Sequence, residues 1–151
     1  MKRIYYAGLS LLLAFVLLFS LTACSDTPTE FVESYTQTVT NSANFPYGGT
    51  IYVSLGIERA EDNKGDIYVG LTKASYGIQN FFDEESLDKI VFTYFDGHDT
   101  HEVTSDDITG EYTVDAEKVP VINNNIRARA VVYMTNGETF EQDCVLGHSV
   151  Y

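Results

Sequence analysis

Residues 126–146, IRARAVVYMTNGETFEQDCVL, alternate apolar and polar side chains on both sides of Asn136-Gly137. On the first arm Ile126, Ala128, Ala130, Val132 and Met134 fall on one face, with Arg127 and Arg129 on the other. On the second arm Phe140, Cys144 and Leu146 share a face, with Gln142 as its polar exception. Successive side chains of a strand point to opposite sides, so this alternation reads as a half-buried hairpin. Asn-Gly predicts a two-residue turn with positive φ at both positions. The outward arginines are expected to face acids such as Glu141 or Asp143.

The same period runs back through the chain. In TIYVSLGIE (50–58) Ile51, Val53, Leu55 and Ile57 share a face. AEDNKG (60–65) supplies turn residues, and DIYVGLT (66–72) alternates again with Ile67, Val69 and Leu71 inward, which predicts a second hairpin. Asp83-Glu84-Glu85 before Ser86 suits a single helical turn with acids at its positive end. KIVFTYF (89–95) is a strand, Asp96-Gly97 a turn, HDTHEVT (98–104) its return and GEYTVD (110–115) a further short strand. Phe31 to Thr40 alternates weakly and is read as a first strand. Seven or eight strands with almost no helix predict an all-β fold, an antiparallel β-sandwich with an immunoglobulin-like Greek key. One-faced alternation argues against a parallel sheet. A small closed β-barrel is the alternative. The paired cysteines and central Trp of antibody domains are missing, so that likeness is architectural.

The N-terminus reads MKRIYYAGLSLLLAFVLLFSLTAC. Lys2 and Arg3 precede an apolar run from Ala7 to Leu21, and no acid occurs before Asp26. A positive start, an apolar stretch and small residues at its end make a secretory signal. Leu21-Thr22-Ala23-Cys24 resembles the lipobox of bacterial lipoproteins: an aliphatic residue, two small ones, then cysteine. That resemblance implies diacylglycerol on the Cys24 thiol, cleavage before Cys24, and a membrane-anchored, extracytoplasmic location in the bacterial cell envelope. The site is the outer face of the plasma membrane, or the outer membrane in a cell with two. Residues 1–23 are then the signal peptide. Residues 24–48 hold the lipidated Cys and a Ser/Thr-rich tether that includes the first strand, and 49–151 form the sandwich domain.

Removing residues 1–23 takes away two of the 9 basic side chains and none of the 22 acidic ones. So acidic a surface repels nucleic acid and other polyanions, which removes nucleic acid as a partner. With Cys24 lipidated, Cys144 has no partner in the chain; its place in an apolar alternation reads as a buried thiol.

Two clusters hold side chains suited to ligand chemistry. Asp96, His98, Asp99 and His101 offer imidazole and carboxylate ligands for a divalent metal, provided the loop makes the two histidines converge. Glu61 to Asp66 lacks the ligand spacing and distal Glu of an EF-hand; a β-turn with Gly in the left-handed region explains it better. Tyr52 and Tyr68 lie opposite the aliphatic run of their hairpin and are candidates for stacking on a glycan or a protein partner. No G-x-S-x-G, H-E-x-x-H, Walker or dinucleotide pattern is present. The expectation is a non-catalytic β-sandwich lipoprotein for binding or envelope assembly, needing no cofactor beyond its covalent lipid. The alternatives are a metal- or glycan-binding lipoprotein and a small hydrolase.

Overall fold

The computed structural model describes residues 29–121 and 125–146. The signal segment, Cys24, His148 and Tyr151 lie outside the described residues. Among the described residues nine strands follow in order: β1 (Phe31–Asn44), β2 (Thr50–Asp62), β3 (Ile67–Gln79), β4 (Leu87–Phe95), β5 (Thr100–Ser105), β6 (Thr109–Thr113), β7 (Val119–Pro120), β8 (Arg127–Met134) and β9 (Thr139–Val145). Sheet A runs β1-β2-β3-β6, with β7 pairing β3, and sheet B runs β5-β4-β8-β9. All pairings are antiparallel. The two sheets pack face to face without closing into a barrel.

The chain leaves sheet A after β3, makes the β4–β5 hairpin in sheet B, and returns to lay β6 beside β3. It then crosses again to lay β8 beside β4. These crossings carry the chain between the two sheets of a Greek-key-like β-sandwich. β1 stands outside that core as an extra edge strand. It pairs with β2 from Phe31 to Asn44, four residues beyond the stretch that the sequence suggests.

The buried face is the one the alternation defines. Ile51, Val53, Leu55 and Ile57 of β2 meet Ile90 and Phe92 of β4 and Ala128, Ala130 and Val132 of β8 in one core. Tyr76 and Phe81, which stand outside the sequence's apolar pattern, also belong to this core, 1% and 4% exposed. For Tyr76 a bulge is the reason. Gly56 pairs with Lys73 but Ile57 pairs with Leu71, so Thr72 is an added residue in β3. Inward parity passes from Val69 and Leu71 to Ala74, Tyr76 and Ile78.

Three hairpins turn the same way. Phe45, Asp62 and Met134 each donate N–H to the carbonyl four residues on, and Gly48, Gly65 and Gly137 each donate back to them. Those glycines have φ of +101°, +86° and +88°. The Asn136-Gly137 turn is therefore a three-residue loop with positive φ at Gly137, not a two-residue turn with positive φ at both. Asn136 is used differently: its Oδ1 accepts the Glu138 N–H and its amide reaches the Tyr47 hydroxyl. The helical turn expected at the acids is a short 3-10 turn, Glu84–Ser86.

Candidate functional site

Asp96 closes the β4–β5 hairpin. Its Oδ1 accepts the backbone N–H of His98 at 2.8 Å and of Asp99 at 2.9 Å. Its Oδ2 lies 2.8 Å from Nε2 of His101. Burial alone would push this carboxyl up. The N–H groups of Asp99 and His98 and the His101 ring outweigh it, and the group stays below the usual carboxylate value. The His101 ring stacks on Tyr94 at 4.7 Å, which in turn stacks with Tyr112 of β6 at 6.1 Å. His98 and Asp99 are exposed at the tip. The loop therefore brings Asp96 and His101 together and gives the Asp96 carboxylate to the turn. Among the described residues no three His, Cys, Asp or Glu side chains are grouped as a metal would need. At Glu61–Asp66 the Asp62 Oδ1 likewise accepts the N–H groups of Lys64 and Asp66, as the turn reading requires.

The two candidate tyrosines share the outer face of sheet A but not one patch. Tyr52 pairs with Gly77 and Tyr68 with Ala60. Eight positions of β2 separate their rows, about 26 Å along a strand. The Tyr52 ring lies across Gly77, where an added Cβ would fall 2.5 Å from its hydroxyl. Tyr68 packs edge-on against Phe31 at 5.4 Å. Between them are Ser54, Ser75, Gly56, Lys73, Glu58 and Gly70, flanked by Thr36, Thr38 and Thr40 of β1. The charges here are paired: Lys73 with Glu111 at 3.2 Å and Lys118 with Glu58 at 3.1 Å.

Cys144 is buried, and its thiol approaches the Val39 carbonyl at 3.6 Å. Burial pushes this thiol up.

One concave surface among the described residues was not singled out by the sequence. A groove of about 360 Å³ on the outside of sheet B is lined by Thr93, Phe95, Arg127, Arg129, Asp143 and Val145, among others. The register sets the outer face out in rows across β5-β4-β8-β9. The first row is Thr100, Phe95, Arg127 and Val145, and the second Glu102, Thr93, Arg129 and Asp143. The third is Thr104, Val91, Val131 and Glu141, and the fourth Lys89, Tyr133 and Thr139. Arg129 pairs with Glu141 at 2.8 Å, as expected. Among the described residues Arg127 turns to no acid. Its guanidinium lies over the Phe95 ring at 5.6 Å, and Lys89 lies over Tyr133 at 5.1 Å. The signal for this face was present in the opposite parity of KIVFTYF, where Lys89, Val91, Thr93 and Phe95 share the side away from the core. Pairing them with Arg127 needs the β4–β8 register, which local patterns do not carry. Comparison with family models, curated proteins and solved structures gives no match.

Proposed function

We propose that the protein is a lipid-anchored extracytoplasmic lipoprotein whose sandwich is a non-catalytic binding module of the cell envelope, with the outer face of sheet B as its contact surface. The lipobox at Leu21 to Cys24 supports the anchor. The observation that carries the binding role is Arg127, held over Phe95 in a groove and outside salt-bridge distance of the described carboxylates, in a chain with 22 acidic and 9 basic side chains. In so acidic a molecule a cation set on a ring instead of a carboxylate is available to a partner. The nucleophile-type groups favour binding over catalysis as well. Cys144 is buried with its thiol raised, and His101 is tied to the carboxylate that holds a turn.

Two experiments test the two halves of this reading. Cys24→Ala should leave the precursor uncut and without incorporated labelled fatty acid; cleavage at an unchanged site would remove the lipoprotein assignment. A photo-crosslinking side chain at Val145, in the groove, should capture an envelope component in intact cells. One at Asp106, away from it, should not, and Arg127→Glu should abolish the capture. Equal capture from both positions, or none, overturns the contact surface.

A second reading rests on Tyr52. Its ring laid over Gly77, on a face rich in Ser and Thr whose lysines are paired, is a platform of the kind that neutral sugars stack on. Tyr52→Ala should then abolish retention on insoluble neutral glycans, and unchanged retention discards this reading.

A further inference from the structure

We propose that the stripe along β4 and β8 on the outside of sheet B binds an extended peptide segment of a partner protein, with a carboxylate at each end and an apolar side chain between them. This rests on the binding role given above to the same face. The two ends of the stripe are built alike. At one end Arg127 lies over Phe95, at the other Lys89 lies over Tyr133. Both cations are exposed, and among the described residues neither has a carboxylate within salt-bridge distance. The rows that contain them, Thr100-Phe95-Arg127-Val145 and Lys89-Tyr133-Thr139, contain no acid. Arg129 is the contrast, because its row and the next hold Asp143 and Glu141, and it is paired. Between the ends lie two rows, Thr93 beside Arg129, whose charge is taken up by Glu141, and Val91 beside Val131, both half-buried.

Spacing sets the length of the occupant. Arg127 and Tyr133 are six residues apart on β8, about 20 Å of extended chain. Width sets its shape. Glu102 on β5 and Glu141 and Asp143 on β9 border the stripe on both sides, leaving a lane about two strands, or roughly 10 Å, wide. A broad polyanion would overlap those acids, whereas a single extended chain fits between them. The apolar centre separates a peptide from an anionic polysaccharide. A carboxylate on every sugar would place charges over Val91 and Val131 with nothing to pair them, and a peptide can put a valine or leucine there. Each cation rests on a ring, so it is already partly ordered before a carboxylate arrives.

The test uses the full chain extracted from membranes in a non-ionic detergent. The probe is a labelled extended peptide of about seven residues, with glutamate at each end and leucine at its centre, followed by fluorescence anisotropy. The expected result is saturable binding that weakens at least about tenfold when the glutamates are replaced by glutamine. The variant Lys89→Gln/Arg127→Gln should lose as much, and raised salt should also weaken binding. The control Lys64→Gln/Lys73→Gln, which removes the same charge elsewhere, should bind as the wild type does. Equal binding of the glutamine peptide, equal loss in the control, or no binding of the acidic peptide overturns the proposal. So does tighter binding of oligogalacturonate, which would give the stripe to a glycan. If the peptide fails while crosslinking from Val145 still captures a partner that Arg127→Glu loses, the binding face stands and only the ligand chemistry falls.

Discussion

At Asp96 one carboxylate accepts two backbone N–H groups and faces the His101 ring, so its chief work is to hold the β4–β5 loop. The residue is 8% exposed, and a buried hydrogen-bonded charge is costly to delete. Asp96→Ala should therefore cost about 2–3 kcal/mol of unfolding free energy at neutral pH by urea denaturation. The pH dependence has a definite sign. Burial raises this carboxyl, but the N–H groups of Asp99 and His98 and the His101 ring bring it below its ordinary value. A depressed carboxylate contributes stability above its unfolded value and loses it as pH falls through the folded one. The gap between wild type and Asp96→Asn should thus be constant above about pH 5 and shrink below about pH 4. A gap that widens in acid would mean that the charge is not what holds the turn.

Among the elements, two glycines sit under tyrosine rings with opposite consequences. A Cβ on Gly110 of β6 would fall 2.4 Å from Cε1 of Tyr76, whose ring is enclosed between the sheets. A Cβ on Gly77 of β3 would meet Tyr52 at 2.5 Å, but that ring lies on the outer face and can swing away. Gly110→Ala should cost about 3 kcal/mol by overpacking, and Gly77→Ala less than about 1, both read from thermal or urea unfolding. Equal costs would show that Tyr52 is as fixed as Tyr76. The same pair marks how far the sequence was legible. Alternation in Ile51 to Ile57 and Ile126 to Met134 reflects burial on one side, which depends on neighbours two residues apart, so those faces and the sandwich could be read directly. Tyr76 could not, because a one-residue bulge at Thr72 reverses parity without changing composition. The Asn136-Gly137 turn was recognisable as a turn, but its length was not. Gly137 alone takes positive φ, and Asn136 is recruited by Tyr47 from another hairpin. The face bearing Lys89, Phe95 and Arg127 depends on strands far apart in the chain, and only the register brings them together.

For the whole molecule, the proposed anchor and the strand directions together fix which end faces the bilayer. β1 starts at Phe31, opposite Asp62 at the end of β2, so the 62–66 turn lies at the pole where the chain enters. Phe31 is seven chain steps beyond Cys24, a reach of at most about 24 Å. β1 then runs 14 residues, roughly 45 Å, toward the opposite pole. There Phe81 packs against Phe45 at 5.3 Å, and the adjoining Phe82 is 91% exposed. Excess negative charge disfavours lying flat on anionic headgroups, so an upright domain is expected. The end of the sheet B stripe at Phe95 and Arg127 then points back toward the membrane, and a partner segment would be engaged within tether reach of the surface. The arrangement is measurable by energy transfer to acceptors on the headgroups of lipid nanodiscs. Donors would be attached at Lys64→Cys or Phe82→Cys, each with Cys144→Ser to leave one thiol. Transfer should be strong from position 64 and weak from position 82. Raising salt, which screens the charge, should narrow the difference without reversing it. Equal transfer from both positions at low salt would mean that the domain lies on its side, and would place one sheet face, not the 62–66 pole, against the lipid.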